Sequence, residues 1–164
     1  NRLGEEGGGW GVAMSTAGFE RGLMLRSPAR FQDTAKRLVG LYRAPAEEAD
    51  DGVRDEVVRC ATPAEAYALE TYRTVSRLLA GGKIGAEASL NKIFWSELDI
   101  RMHELALEIL GERADLLPEA PAAGDVDGWL DAYLFSLSGP IYAGTNEIQR
   151  NVIAGRILGL PKGA

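Results

Sequence analysis

Few residues in this sequence could do metal or nucleophilic chemistry. The 164 residues contain one histidine, His103, and one cysteine, Cys60. A di-iron site in a helical bundle needs Glu-x-x-His on two helices, and the residue three positions before His103 is Ile100. We therefore expect no metal centre. We interpret His103 as a surface or interface histidine one turn from Asp99, and Cys60 as a buried small apolar residue.

A loop followed by a helix, over residues 141–150, is the most informative segment. Gly144 lets another group approach the backbone closely. Thr145 can cap the helix and present its hydroxyl outward. Free N–H groups at a helix start suit an anionic or electron-rich ligand ring. Taken alone, the pattern fits an ordinary helix cap as well as a ligand site.

Apolar residues recur along the chain at spacings of three and four, which predicts helices, and no convincing run of alternating strand residues is present. The predicted helical stretches cover residues 10–42, 53–60, 62–79, 86–110, 126–137 and 145–158. The short connections between long helices predict an all-α fold, an up-and-down four-helix bundle.

Several residues predict where these helices begin and end. Pro28 should either kink the first stretch or start a new helix with Ser27 as N-cap. Residues 62–65, Thr-Pro-Ala-Glu, have the form of a capping box and predict a helix start there. Gly111 sits just past the end of the clearest helix. The expected core stripe of that helix is Leu90, Ile93, Phe94, Leu98, Met102, Leu105, Ala106, Ile109 and Leu110.

The composition limits the class of protein. Eighteen basic and 24 acidic residues give a net charge of −6, which argues against a nucleic-acid partner because such binding needs a basic face. No apolar run approaches the ~20 residues of a membrane helix. A lone cysteine and the lack of a visible signal peptide predict a cytoplasmic protein, and the many arginines and alanines are typical of bacteria with GC-rich genomes. The missing start methionine indicates a C-terminal fragment or a processed chain.

Residues 141–150, Ile-Tyr-Ala-Gly-Thr-Asn-Glu-Ile-Gln-Arg, and the Leu-Gly-Leu-Pro at 158–161 resemble the C-terminal signature of acyl-CoA dehydrogenases. In that signature, Tyr-Glu-Gly-Thr precedes a helix that ends in Leu-Gly-Leu-Pro. Residues 9–21 look like the family's passage from its middle β-domain into its C-terminal bundle, and residues 85–92 look like its third bundle helix. The resemblance implies that residues 1–9 end the middle domain or form a linker and that residues 10–164 form the bundle.

The resemblance also implies a reaction. These enzymes bind FAD, remove a proton from C2 and a hydride from C3 of an acyl-CoA thioester, and release a 2,3-enoyl-CoA. Their electrons pass to an electron-transfer acceptor, and their subunits form dimers or tetramers through the bundle. The present chain would contribute one wall of the flavin and thioester site.

One position departs from the family decisively. The usual catalytic glutamate precedes the Gly-Thr pair, and here Ala143 stands in its place. The Ala143 backbone N–H could still bind the thioester oxygen as negative charge develops. By resemblance, the substrate-binding residues are Gly18, Phe19, Arg21 and Gly144. The cofactor-binding residues are Thr145, Asn146 and Glu147.

Some family members carry the base on the first bundle helix, directly before an arginine, and that place matches Glu20 ahead of Arg21. The neighbours of Glu20 at helical spacing are Thr16, Ala17, Leu23 and Met24. None of them is basic, so no helical ion pair would hold the Glu20 carboxylate. A carboxylate facing an apolar acyl pocket would have a raised pKa, which suits a base near neutrality. The alternative is an exposed helical glutamate.

Two further family features lack a clear match. The Arg-x-Thr-Phe-Gly stretch that reaches the partner's flavin has only Arg30-Phe31-Gln32 as its nearest equivalent, and residues 125–138 replace a Gln-x-x-Gly-Gly segment. The departures fit a divergent subfamily or a subunit that pairs with a different chain. Three hypotheses follow: an active dehydrogenase using Glu20, a non-catalytic subunit of a mixed tetramer, or a helical oligomerisation module without a ligand.

Overall fold

The computed structural model describes residues 3–15, 26–44, 51–116, 120 and 128–161. Every regular element within these residues is helical, so the predicted all-α class is confirmed. None of the described helices has the length and apolarity that crossing a membrane requires. The helices are α1 (described over residues 9–15), α2 (Pro28–Arg43), α3 (Asp51–Leu79), α4 (Ala88–Leu110), α5 (Trp129–Ser136) and α6 (Asn146–Arg156), with a 3₁₀ turn at Gly111–Asp115.

Helix α4 is the centre of the structure, because it packs against α2, α3, α5 and α6. The core lies where α2, α3 and α4 meet. Burying one large apolar side chain there stabilises the fold by ~1.5–3 kcal/mol. The largest fully buried apolar side chains are those of Phe31, Leu38, Tyr67, Trp95, Met102 and Leu105.

Helix α2 begins anew at Pro28, which confirms the second of the two predicted outcomes at this proline. Ser27 occupies the N-cap position, although its side chain accepts no hydrogen bond there. Its backbone carbonyl accepts from the N–H of Arg30 at 3.1 Å. Proline is tolerated in the first turn because its missing N–H would have no partner inside the helix.

Helix α3 is continuous through Pro63, so the predicted break at the capping box is wrong. The helix begins at Asp51, two residues before the predicted stretch at 53–60; residues 45–50 lie outside the described residues. Burial overrides the local signal, because the buried side chains of α3 line one face on both sides of the proline. These residues are Val57, Cys60, Ala64, Tyr67, Ala68, Thr71 and Thr74.

Helix α4 buries polar as well as apolar residues. Gly111 follows it with a φ of 57°, which confirms the predicted end. The predicted stripe is correct at its C-terminal half, but Leu90 and Phe94 are 49% and 39% exposed. A second buried face is polar and consists of Ser89, Lys92, Ser96, Asp99 and His103. His103 is therefore a core residue, and its interpretation as a surface or interface histidine is wrong.

Helix α6 likewise exposes apolar residues and buries polar ones. The apolar residues Ile148 and Ile157 are 54% and 44% exposed. The buried residues of this helix are the polar Asn146 and Gln149. Thr145 is the N-cap, as predicted, and its side chain accepts from the Ile148 N–H. The inner surface of α6 is thus built to make hydrogen bonds.

Candidate active site

The loop over residues 140–146, called the 140–146 loop below, joins the α5 region to α6. Its ends are tied by the Asn146 N–H, which donates to the Pro140 carbonyl at 2.9 Å. At its centre, Ala143 has a φ of 55° and Gly144 a φ of 84°. Ala143 is the one non-glycine residue with positive φ in the described part of the chain. That conformation costs roughly 1–2 kcal/mol for a residue with a Cβ, so surrounding contacts must hold it.

Gln149 provides those contacts from the next turn of the chain. Its side chain is among the fully buried ones. Its amide nitrogen donates to the Ala143 carbonyl at 3.0 Å and to the Gly144 carbonyl at 3.2 Å. Because C=O and N–H point oppositely across a trans peptide, the N–H groups of Gly144 and Thr145 face away from Gln149. The loop therefore turns its carbonyls inward and presents these two donors on the other side.

The start of α6 adds positive electrostatic character to this outer side. A helix N-terminus carries a partial positive charge and unpaired N–H groups. The pKa of the exposed Glu147 carboxyl is lowered, mainly by a hydrogen bond from its own backbone N–H and then by one with the Thr145 side chain. The same features would favour an anionic or electron-rich ligand next to Thr145.

Arg26 connects the chain before α2 to the 140–146 loop. Its guanidinium lies 5.1 Å from the ring centre of Trp95, 5.5 Å from that of Tyr142 and 5.8 Å from that of Phe135. It also donates to the Tyr142 hydroxyl. Its backbone carbonyl accepts from the buried Tyr67 hydroxyl at 2.9 Å. Arg26 therefore fixes the entry to α2 beside the residue that precedes Ala143.

A buried polar network fastens α6 to α4. Lys92 Nζ donates to Asn146 Oδ1 at 2.7 Å. The Asn146 amide nitrogen donates to Ser96 Oγ at 3.1 Å and to Glu97 Oε1 at 3.3 Å. Glu97 in turn pairs with Arg150 at the rim. The Asn146 side chain is thus fully engaged within the protein.

The structure brings five of the predicted site residues together at one end of α6, namely Ala143, Gly144, Thr145, Asn146 and Glu147. The other four lie outside the described residues; they are Gly18, Phe19, Glu20 and Arg21. The described residues on either side of that segment both lie beside α6 or its loop. Met14 lines a cavity of about 260 Å³ together with Val152 and Arg156 of α6, and Arg26 contacts Tyr142.

A larger cavity of about 490 Å³ lies between α3 and α4. Its walls include Tyr67, Ile93 and Phe94, and its rim carries Glu70 and Glu97. No residue of the 140–146 loop lines it. The cavity adjoins the candidate site at Glu97, whose carboxylate accepts from the Asn146 amide nitrogen at 3.3 Å.

His103 belongs to a buried ionic cluster that is separate from the 140–146 loop. Its Nδ1 lies 2.7 Å from the Asp99 backbone carbonyl oxygen and 3.5 Å from the Asp99 carboxylate. Asp99 pairs with Arg30 at 2.9 Å. Burial lowers the pKa of His103 and raises the pKa of Asp99 against the opposing effect of Arg30. Trp129 lies 5.6 Å from the His103 ring and covers it.

Sequence reasoning missed Arg26, Lys92 and Gln149 as residues that shape the site. The signal for Lys92 was present, because polar residues recur along α4 at spacings of three and four: Ser89, Lys92, Ser96, Asp99 and His103. This spacing places these polar residues along one face of the helix. Arg26 has no comparable signal, since its role depends on a contact across the fold. The role of Gln149 depends on the shape of the adjacent loop, which spacing alone does not give.

Comparison with known proteins shows which family the chain belongs to. Residues 7–158 match the family model of the acyl-CoA dehydrogenase C-terminal domain. The chain belongs to the acyl-CoA dehydrogenase family. It is 35% identical over 166 residues to acyl-CoA dehydrogenase IpdE1 of Mycobacterium tuberculosis, covering 99% of this chain and 41% of that protein.

Two further proteins extend the comparison. The chain is 33% identical over 161 residues to the IpdE1 of Mycolicibacterium smegmatis, covering 98% of this chain and 39% of that protein. A chain in the crystal structure of the ChsE4-ChsE5 complex from Mycobacterium tuberculosis superposes with a TM-score of 0.82 at 28% identity, covering 100% of this chain and 43% of that one. The chain thus spans about two fifths of the length of the curated relatives it matches.

FAD is the cofactor that this family implies, and the loop fits it. The outward N–H groups of Gly144 and Thr145 are donors for ring oxygens or nitrogens. In the same loop, Ile141 leaves 66% of its surface exposed. A donor edge next to an exposed apolar side chain suits a flat, electron-rich ring system.

Proposed function

We propose that the chain is the C-terminal part of a flavin-dependent acyl-CoA dehydrogenase that oxidises an acyl-CoA thioester to the 2,3-enoyl-CoA. In this proposal Glu20 is the base, in place of the glutamate missing at Ala143. The observation that carries it is the path of the chain. Met14 and Arg26, each six residues from Glu20, lie beside α6 and its loop.

Helix α6, which together with its loop lies beside Met14 and Arg26, is short. The eleven residues of α6 span about 16 Å at 1.5 Å per residue. Both anchor points lie along this one helix and its loop, and the place of Glu20 midway between them in sequence supports its assignment as the base. The same argument favours Gly18, Phe19 and Arg21 as substrate-binding neighbours.

The proposed roles divide between the two segments. Glu20 takes the C2 proton of the thioester, and the Ala143 N–H donates to the thioester oxygen while negative charge develops there. FAD, when bound, supplies the acceptor for the C3 hydride and its two electrons, which then pass to an electron-transfer acceptor. Thr145, Glu147 and the backbone at Asn146 hold the cofactor at the positive end of α6. Gly144 contacts the thioester through its backbone, whose N–H faces away from Gln149.

A second candidate is a non-catalytic subunit that pairs with a related, active chain. Ala143 favours it, because that side chain has no group that accepts a proton. A stripe on α3 also favours subunit contact, since Leu69, Tyr72 and Leu79 are 69%, 57% and 84% exposed. The ChsE4-ChsE5 structure is itself a complex of two named proteins. The partner would be a copy of this chain in the first candidate or a related subunit in a mixed tetramer in the second.

Replacing Glu20 by glutamine in the full-length protein separates the two candidates. We expect anaerobic flavin reduction by acyl-CoA to slow by about 10²–10⁴-fold, the usual contribution of a positioned base, while the flavin spectrum stays intact. The matched control is Glu108→Gln, at an exposed carboxylate of α4, which should leave the rate unchanged. A wild-type rate in Glu20→Gln would remove this residue from the role.

A further inference from the structure

Lys92 is a buried cation with an unusual environment. It is 4% exposed, and within the described residues no carboxylate pairs with its ammonium group. Burial lowers its pKa, and Glu147 and Glu97 oppose that effect from a distance. Burying a cation without a close counter-ion is costly. Its one side-chain partner within the described part of the chain is the Asn146 carbonyl oxygen, at 2.7 Å.

Asn146 links Lys92 to the 140–146 loop, because its side chain accepts from Lys92 and its backbone N–H closes the loop. It is the first residue of α6, and its backbone N–H closes the loop on the Pro140 carbonyl at 2.9 Å. Ser96 holds the other side of the same amide. A displaced Asn146 would therefore release the loop closure.

The strained backbone of the 140–146 loop must be held in place by surrounding contacts. Ala143 and Gly144 both have positive φ, and Ala143 does so with a Cβ. Gln149 holds their carbonyls from inside, but it lies on α6 and moves with it. Only a contact from another helix can fix α6 itself, and Lys92 of α4 provides one.

We propose that Lys92 is a positioning residue, which acts through Asn146 to hold the 140–146 loop in the shape that presents its N–H donors to the thioester and cofactor. The inference rests on the proposed function for its effect on catalysis. The link from Lys92 to the loop closure does not depend on which residue is the catalytic base.

The test is Lys92→Met in the full-length protein, read first by hydrogen exchange of the peptide covering residues 140–150 without substrate. We expect faster exchange there and unchanged exchange in α2. Two control variants should leave this peptide as in wild type. Lys36→Met makes the same chemical change at an exposed site, and Val57→Ala weakens the core at a residue remote from the loop in sequence.

The second reading is the rate of flavin reduction by acyl-CoA. A misplaced loop should lower the limiting rate by ~10-fold and change the thioester dissociation constant less than ~2-fold. In a double-mutant cycle with Asn146→Ala, the double variant should be no slower than the slower single variant, because the two act through one contact.

Three results would overturn the proposal: unchanged exchange in Lys92→Met, a wild-type limiting rate despite faster exchange, or additive effects in the cycle. Activity in Glu20→Gln would instead refute the assignment of the base and leave these readings intact.

Discussion

The amide nitrogen of Gln149 donates to the carbonyl of Ala143 at 3.0 Å, across six residues of chain. It shares this donor group with the Gly144 carbonyl at 3.2 Å. One buried side chain thus determines which way two consecutive peptides point. The backbone at Ala143 and Gly144 is therefore held in its positive-φ conformation from inside the fold.

Gln149→Leu should destabilise the 164-residue chain by about 2 kcal/mol, because two inward carbonyls lose their donor. Denaturant unfolding followed by tryptophan fluorescence measures this change. Gln32→Leu is the matched control, since Gln32 bonds only the exposed Glu65 among the described residues, and it should change stability by less than ~0.5 kcal/mol. Equal effects of the two variants would show that Gln149 does not support the loop.

Substitutions at two adjacent loop residues should change the free energy of unfolding in opposite directions. Ala143→Gly should be neutral or stabilising by up to ~1 kcal/mol, because it relieves the positive φ of 55°. Gly144→Ala should destabilise by ~1–3 kcal/mol, because its φ is 84° and the new Cβ would lie 2.8 Å from Gln149 Nε2. Denaturant midpoints compare them directly. A stabilised Gly144→Ala would mean that the loop has a different shape.

The stability of the chain should fall as the pH is lowered through 6.5. His103 is the one histidine in the sequence, and burial lowers its pKa in the folded state below the usual 6.5. Below pH 6.5 the unfolded chain therefore binds a proton that the folded chain does not, which destabilises the fold by up to about 1.4 kcal/mol per pH unit.

Unfolding free energies at three pH values between 7.5 and 5.5 check this dependence. His103→Gln removes the titrating group and should show a flatter profile over that range, even though its stability at pH 7.5 is lower. Most carboxylates titrate below this window, and Asp99, whose pKa is raised by burial, is present in both proteins. Parallel profiles would contradict the assignment.

Much of the fold follows from local signals. Pro28 and Gly111 mark helix boundaries because each restricts or permits backbone angles at its own position. Pro63 misleads for the same reason: its local cost is real, but the buried face of α3 on both sides of it outweighs that cost. Such competition is decided by packing partners, which no local pattern contains.

The candidate site was predictable only in part. The residues around Ala143 could be located because the motif is contiguous in sequence. The roles of Lys92 and Gln149 could not be assigned, because one depends on a hydrogen bond between two helices and the other on the shape of the adjacent loop. Hydrophobic periodicity did not indicate the buried polar residues of α4 and α6, since it carries no information about polar groups that satisfy each other internally.

Moving the carboxylate back to its usual position tests the central claim most directly. The measurement is anaerobic flavin reduction by acyl-CoA in the full-length protein carrying Glu20→Gln alone and together with Ala143→Glu. If Glu20 replaces the missing glutamate at an otherwise preserved loop, the single variant should lose turnover and the double variant should regain a substantial fraction of it. Full activity in the single variant, with no effect of Ala143→Glu, would contradict the account.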